Sequence, residues 1–230
     1  MRPGLKQPRN TAEARAIQKA LRERIRLEPL RKSPELIAGA DAAFSGEMVV
    51  AVACLFTFPE LELIDEKTVI RKVTFPYIPG FLTFREGPAV IEAVRKLGQR
   101  PDLLLIDGQG IAHPERIGIA SHVGLVLDIP TIGCAKSRLV GEYEEPGLKK
   151  GNWSELKYKQ ERVGTVLRTR DRVSAMFISP GHRVSFEDSV RIALSTVRSS
   201  RVPEPTRVAD VKTKKMKREY EAQRIHRSDL

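Results

Sequence analysis

The chain has 230 residues, which is the length of one domain or of two small ones. Its composition, 41% hydrophobic and 30% charged residues, excludes a disordered chain and a membrane protein. No apolar run approaches the roughly 20 residues of a membrane-spanning helix, and no apolar segment follows the N-terminal charges to form a secretory signal. Two cysteines, Cys54 and Cys134, lie in apolar stretches typical of a reduced core. We therefore expect one cytoplasmic domain over residues 1–230 with no membrane partner.

The net charge of +11 is confined to the two ends of the chain. Residues 1–32 contain ten basic and three acidic side chains, and residues 201–230 contain nine and five. The segment between them is neutral, with 21 of each sign. A basic excess of this kind favours a polyanionic partner such as nucleic acid. The alternative is a pair of solubilising tails without a ligand.

The first half of the chain predicts a helix followed by three strands. Residues 11–27 have helical apolar spacing, and Thr11 is the expected cap. Apolar runs over 36–44 and 48–58, and an alternating stretch from 61 to 75, predict strands. The short links between these strands leave no room for crossover helices, so the strands are expected to be antiparallel neighbours.

From residue 83 onwards the pattern alternates between helix and strand. Thr83 and Glu86 have the spacing of a capping box and predict a helix that ends at Gly98. Strands over 102–107 and 131–135, with a helix over 114–127 between them, indicate parallel crossover units. The remaining predictions are an irregular surface segment over 141–161, a hairpin over 163–179, a helix over 185–198 capped by Ser185, and a helix from about residue 206.

This order predicts an α/β fold with a mixed sheet, in which three antiparallel strands are followed by parallel strands. Helices are expected on both faces of the sheet. Two carboxylates interrupt its apolar strands: Asp41 lies within LIAGADAAF, and Asp107 ends DLLLID. A carboxylate on an apolar strand is costly unless it is paired or coordinated. Asp107 also lies at the carboxyl end of a parallel strand, where open α/β sheets place their sites.

A divalent cation would remove the repulsion between two such carboxylates, and hard oxygen ligands favour Mg²⁺ or Mn²⁺. Taken singly, each acidic residue also fits a purely structural role. Asp41 could form a turn or accept a buried hydrogen bond, and Asp107 could cap the loop over 108–110. The capping box would account for Glu86 by itself. The loop is too short for a phosphate-binding motif, and no catalytic triad can be read from the spacing.

Five segments give a more specific signal. They are AGADAAF, FPYIPGFLTFREGPAV (75–90), the long stretch over 101–143 that contains LLIDGQGIAHP and CAKSRL, SPGHRVSFEDSV (179–190) and PEPTRVAD (203–210). Together they resemble the endonuclease V family, which nicks DNA near deaminated adenine. The resemblance extends from about residue 10 to about residue 215, in the order of the family motifs. It implies a ribonuclease-H-like fold and one catalytic domain over 1–230 with basic terminal segments.

The resemblance also implies roles for five charged residues. Asp41 and Asp107 match the two metal-binding aspartates of the family, and Glu86 matches its catalytic glutamate. Asp210 matches a fourth position, which is occupied by His in some members and by Asp in others. Lys136 matches a lysine near the cleaved phosphate. We therefore expect Asp41 and Asp107 to hold Mg²⁺, with Mn²⁺ as a substitute, and Glu86 and Asp210 to complete or orient the ligand shell.

A second set of residues matches the family's lesion-recognition segments. Tyr77 matches the wedge that enters the duplex beside the lesion. The residues that match the pocket for the flipped-out base are Pro79, Gly80, Gly108, Gln109, Gly110 and His113. Gln109 departs from the pattern, because many members of the family have His at this position.

The function implied is a repair endonuclease that acts on double-stranded DNA containing deaminated bases, chiefly deoxyinosine. It would hydrolyse the second phosphodiester bond 3′ to the lesion as a monomer, leaving a 3′-hydroxyl and a 5′-phosphate. Two alternatives stay open beside it. One is an endoribonuclease that cuts at inosine in single-stranded RNA, and the other is a module of the same fold that binds nucleic acid without cutting it.

Overall fold

The computed structural model describes residues 7–228, with side chains through Arg224. Residues 1–6 and 229–230, which belong to the predicted basic ends, lie outside the described residues. The helices are α1 (Thr11–Arg22), α2 (Leu82–Lys96), α3 (Ile119–Leu127), α4 (Phe186–Ser195) and α5 (Glu204–Ser228). The strands are β1 (Leu36–Ser45), β2 (Met48–Thr57), β3 (Leu63–Lys72), β4 (Leu103–Ile106), β5 (Thr131–Ala135), β6 (Trp153–Tyr158), β7 (Glu161–Leu167) and β8 (Met176–His182).

All eight strands form one mixed sheet in the order β3-β2-β1-β4-β5-β8-β7-β6. The first three strands are antiparallel to one another, and β1, β4 and β5 are parallel neighbours in the middle of the sheet. Strands β8, β7 and β6 then extend the sheet in antiparallel steps. The predicted antiparallel-then-parallel order and the predicted hairpin of β7 and β8 are confirmed.

Helices cover both faces of the sheet, as predicted. On one face, residues such as Ala51 and Leu55 of β2 share a core with α2 and α3. On the other face, Cys54 and Phe56 contact Ala209 of α5, while α4 packs over the middle of the sheet. Because side chains alternate along a strand, Asp41 in β1 shares the α5 face with its neighbours two and four residues earlier.

The ends of α1 differ from the prediction. Its N-cap is Asn10, whose side chain accepts from the backbone of Glu13, so the expected cap at Thr11 is wrong. The helix ends at Arg22 instead of residue 27. The chain after Arg22 instead contacts the residue that follows β8, because the Arg183 N–H donates to the Arg26 carbonyl at 2.6 Å.

The capping box predicted for α2 is also wrong. The helix begins at Leu82, and its N-cap, Phe81, forms no side-chain capping bond. Thr83 is buried within the first turn. The aromatic rings of Phe75, Phe81 and Phe84 pack together, with centroids 5.7–6.5 Å apart, and this tertiary contact fixes the helix start.

Two further predictions are corrected. Helix α3 begins at Ile119 instead of residue 114, after a loop that packs too closely on the 108–110 backbone to be helical. The segment over 141–161 is not irregular throughout, because Trp153–Tyr158 forms the outermost strand, β6, and pairs with β7. Among residues 7–228, no helix combines the length and apolarity that crossing a bilayer requires.

Candidate active site

Three aspartates from distant parts of the chain meet at the carboxyl ends of the central parallel strands. Asp41 lies in β1, Asp107 follows β4, and Asp210 lies in the second turn of α5. One carboxylate oxygen from each lies within 4.8 Å of the others. We call these three residues the acidic triad. The pairing of β1 with β4 brings the first two together, and the Asp107 N–H donates to the Ala40 carbonyl at 3.4 Å.

Close packing of α5 on β1 brings in the third carboxylate. Gly39 has no side chain, and a Cβ there would lie 2.1 Å from the carbonyl carbon and oxygen of Pro205. The helix therefore rests directly on the strand backbone. Further along, the Thr213 hydroxyl donates to the Asp41 carbonyl at 3.4 Å. These contacts fix Asp210 opposite Asp41.

Two lysines contact the acidic triad. Lys136, which follows β5, places its ammonium group 2.5 Å from Oδ2 of Asp107 and 4.0 Å from Oδ2 of Asp210. Lys214 lies 2.8 Å from that same oxygen of Asp210. Sequence reasoning missed Lys214, although its position one helical turn after Asp210 was a usable signal.

Burial and nearby negative charges change the proton affinities of two carboxylates at the site, Asp41 and Glu86. Burial, followed by repulsion from Asp107 and Asp210, raises the pKa of Asp41 to about 7. Burial also raises the pKa of Glu86 to about 8, with further contributions from Asp41 and Asp107. A group of carboxylates with unbalanced negative charge is the donor set that hard divalent cations prefer. The residues present therefore fit Mg²⁺ or Mn²⁺.

Glu86 approaches the triad from α2 and does not belong to it. It is half-buried, and its electrostatic interactions with Asp41 and Asp107 place it beside them. The guanidinium of the neighbouring Arg85 stacks 4.2 Å from the Phe44 ring centroid and donates to the Phe75 carbonyl, and its positive charge partly offsets the rise in the pKa of Glu86.

The loop that contains Tyr77 is firmly anchored while its tip is exposed. Tyr77 is 69% exposed between buried Phe75 and Phe81. Gly80 adopts a left-handed φ of +82°, and its carbonyl accepts from Nε2 of Gln18 at 2.8 Å. His113 lies 3.0 Å from that carbonyl; its Nδ1 accepts from the Glu115 N–H, so its Nε2 is the donor. The signal for Gln18, a polar residue among apolar positions of α1, is weak, and sequence reasoning missed it.

Close packing accounts for the glycines of the loop over 108–110. Gly108 has a φ of +155°, and a Cβ at Gly110 would lie 2.1 Å from the Pro180 carbonyl oxygen. Between them, the buried side chain of Gln109 donates from Nε2 to the Ser137 carbonyl at 3.0 Å. Its Oε1 has no partner within the described part of the chain. The structure therefore offers a buried acceptor at this position.

The sheet order and the acid cluster at its central strand ends define a ribonuclease-H-like nuclease fold. The family profile described as Endonuclease V matches residues 19–211. The chain is 52% identical over 198 residues to endonuclease V of Geotalea uraniireducens, covering 86% of this chain and 85% of that protein. The chain belongs to the endonuclease V family, and it is therefore an endonuclease, a hydrolase of phosphodiester bonds.

Solved structures agree with this assignment. The crystal structure of endonuclease V from Streptomyces avermitilis superimposes with a TM-score of 0.90 at 37% identity, covering 95% of this chain and 97% of that chain. Endonuclease V from Ciona intestinalis gives a TM-score of 0.79 at 27% identity, with 91% and 98% covered. That structure is a complex with a 24mer DNA containing an inosine followed by a ribo-adenosine.

Proposed function

We propose that this chain is a cytoplasmic, monomeric, single-domain DNA repair endonuclease that recognises deaminated bases, chiefly deoxyinosine, in double-stranded DNA. It hydrolyses the second phosphodiester bond 3′ to the lesion and leaves a 3′-hydroxyl and a 5′-phosphate. The observation that carries the proposal is the convergence of Asp41, Asp107 and Asp210 within 4.8 Å, in a chain of the endonuclease V family. Mg²⁺ is the proposed cofactor, and Mn²⁺ substitutes for it.

Each charged residue of the site has a proposed part in this reaction. Asp41 and Asp107 hold the cation, and Glu86 and Asp210 complete and orient the ligand shell. A bound divalent cation supplies Lewis-acid stabilisation of the charge that develops on the phosphate oxygens. Lys136, already 2.5 Å from Asp107, lies close enough to the cluster to neutralise a phosphate oxygen in the transition state.

Lesion recognition is proposed to depend on the two loops described above. Hypoxanthine pairs weakly, so its extrusion from the duplex costs less than that of a normal paired base. Tyr77 fills the gap from its exposed position, and the firmly held Gly80 backbone fixes the direction of insertion. Gln109, with its free Oε1, accepts a hydrogen bond from the extruded base, within a pocket formed with Pro79, Gly108, Gly110 and His113. The inosine-containing DNA bound to the Ciona intestinalis enzyme supports the proposal that the recognised base is hypoxanthine.

A second candidate substrate is inosine in single-stranded RNA. The observation in its favour is the ribo-adenosine that follows the inosine in the Ciona intestinalis complex. The same acidic cluster would serve either strand, because the cleaved phosphodiester is common to both. Contacts to the 2′-hydroxyl would decide between the two substrates.

The test is a nicking assay with Mg²⁺ on matched DNA duplexes that contain deoxyinosine or deoxyadenosine at one position, and on the corresponding single-stranded RNA. The wild-type protein is expected to nick the deoxyinosine duplex at the second bond 3′ to the lesion. Asp107→Ala should abolish nicking and retain binding of that duplex, whereas Glu60→Ala, at an exposed position of the β2–β3 turn, should change neither. Unchanged nicking in Asp107→Ala would contradict the assigned site, and preferential cleavage of the RNA would favour the second candidate.

A further inference from the structure

A second lysine contacts the acidic triad from the solvent side. The ammonium group of Lys214 lies 2.8 Å from Oδ2 of Asp210, and its side chain is 62% exposed. The side chain of Asp210 is 20% exposed. Lys214 thus binds Asp210, one of the three carboxylates that could coordinate a divalent cation at the triad.

The position of Lys214 on α5 sets it apart from Lys212 and Lys215 of the same helix. Buried Ala209 and Thr213 face the sheet, so the residues beside them form two flanks. On one flank, Lys212 pairs with Glu66 of β3, at the outer edge of the sheet. Lys214 lies on the opposite flank with Asp210, towards β4.

Lys215, the next residue, belongs to the flank of Lys212 and pairs with Glu219 at 3.8 Å. It has the same chemistry, helix and exposure as Lys214, with a side chain 69% exposed, but it has no contact with the triad. The chain therefore provides its own matched control.

A divalent cation at the triad would change the environment of Lys214. The cation would take the Asp210 oxygen and would repel the nearby ammonium group. The long, flexible lysine side chain would then place an unpaired positive charge at the rim of the site, on the side of Lys136. The anion that nucleic acid brings to this rim is a backbone phosphate.

We propose that Lys214 is a second phosphate-binding residue of this site, which binds Asp210 in the cation-free protein and transfers to a phosphate of the substrate when a divalent cation occupies the triad. The inference rests on the proposed function, because it requires a cation and a nucleic acid at this site.

The transfer predicts two effects of opposite sign in Lys214→Met. Without nucleic acid, the cation should bind about three- to tenfold more tightly, because a competing positive charge has been removed. With the cation present, duplex binding should weaken, and the slope of log affinity against log salt should fall by about 0.9. In EDTA, Lys214 stays on Asp210, so the slope should not change. The catalytic efficiency on the deoxyinosine duplex should fall mainly through a higher KM.

The experiment compares wild type, Lys214→Met, Lys214→Arg and Lys215→Met. Calorimetry measures Mn²⁺ binding to each protein alone, and fluorescence anisotropy measures binding of a deoxyinosine duplex across a salt series, in EDTA and in Ca²⁺. The proposal expects both effects in Lys214→Met, wild-type salt slopes in Lys214→Arg, and no change in Lys215→Met. The proposal would be overturned if Lys214→Met and Lys215→Met had the same Mn²⁺ affinity and the same salt slopes. A wild-type protein that neither binds nor nicks the deoxyinosine duplex would instead refute the proposed function.

Discussion

Replacement of Asp41 by Asn is expected to stabilise the cation-free protein while abolishing cleavage. Burial and the charges of Asp107 and Asp210 raise the pKa of Asp41 from an ordinary value of 3.8 to about 7. Between these values the native state binds a proton that the unfolded chain does not, so the free energy of unfolding falls as the pH rises through this window. Above it, the native protein carries the full electrostatic penalty.

The size of the effect follows from the width of that window. Each pH unit corresponds to about 1.4 kcal/mol, so a pKa raised from 3.8 to about 7 gives at most about 4 kcal/mol. Asp41 is partly exposed, and solvent screening reduces this to about 2–3 kcal/mol. Asn has nearly the same shape and no charge, so the variant should recover this amount at high pH.

Urea unfolding in EDTA at about pH 8 and about pH 4 measures the effect. At the higher pH, Asp41→Asn should be the more stable protein, and the difference should shrink at the lower pH. Added Mg²⁺ should stabilise the wild type more than the variant, because stabilisation by a bound ligand rises with the logarithm of its affinity for the native state. A variant no more stable than wild type at the higher pH would refute the idea that the burial of this charged carboxylate beside Asp107 and Asp210 opposes folding.

Three further outcomes are expected. Tyr77→Ala should reduce discrimination between deoxyinosine and deoxyadenosine duplexes by about 1–3 kcal/mol in competition nicking. It should leave the urea midpoint unchanged, because the ring is exposed. An equal loss of nicking rate on both duplexes would count against a wedge. Burial lowers the pKa of His122 to about 4, so the free energy of unfolding should fall as the pH drops below about 6.5. In His122→Leu, this acid-induced fall in the free energy of unfolding should be smaller by about 2–3 kcal/mol. Parallel curves of unfolding free energy against pH for the two proteins would exclude His122 as the cause. Gly110→Ala should destabilise the protein by about 1–3 kcal/mol and reduce nicking, because the added Cβ would overlap a carbonyl oxygen. Gly98→Ala serves as the control, since a Cβ there meets only an ordinary van der Waals contact. Similar urea midpoints for the two variants would contradict the overlap at Gly110.

The central part of the fold was predictable because its local and long-range signals agree. The apolar strands β1, β2 and β4 are indicated both by propensity and by burial. Asp41 and Asp107 were conspicuous for the same reason, since a charge on such a strand is costly unless a partner or a cation offsets it. Their proximity follows from the pairing of parallel neighbours.

Asp210 and Lys136 could not be found from the local pattern. Asp210 lies in a polar helix where a solvated carboxylate is unremarkable, and only the resemblance to endonuclease V singled it out. The contact that places it, Pro205 on Gly39, joins distant parts of the chain. The roles assigned to these residues stay predictions until the variants are tested.

The errors have physical causes of two kinds. At Thr83, tertiary packing of aromatic rings outweighed a local capping signal. In Trp153–Tyr158, the strand is half-exposed at the sheet edge, so its sequence lacks the apolar alternation that identifies an interior strand. Pairing with β7, which no local pattern encodes, makes it a strand.

The tight seating of the 108–110 loop has a consequence for engineering substrate range. A Cβ at Gly108, where φ is +155°, would lie 2.7 Å from the Ile119 Cγ2 methyl, and one at Gly110 would lie 2.1 Å from the Pro180 carbonyl oxygen, so a side chain at either position would displace its neighbours. A library aimed at new damaged bases should therefore hold both glycines fixed and vary Gln109, together with the exposed Tyr77. Diversity placed on the glycines would yield mostly proteins that fold poorly.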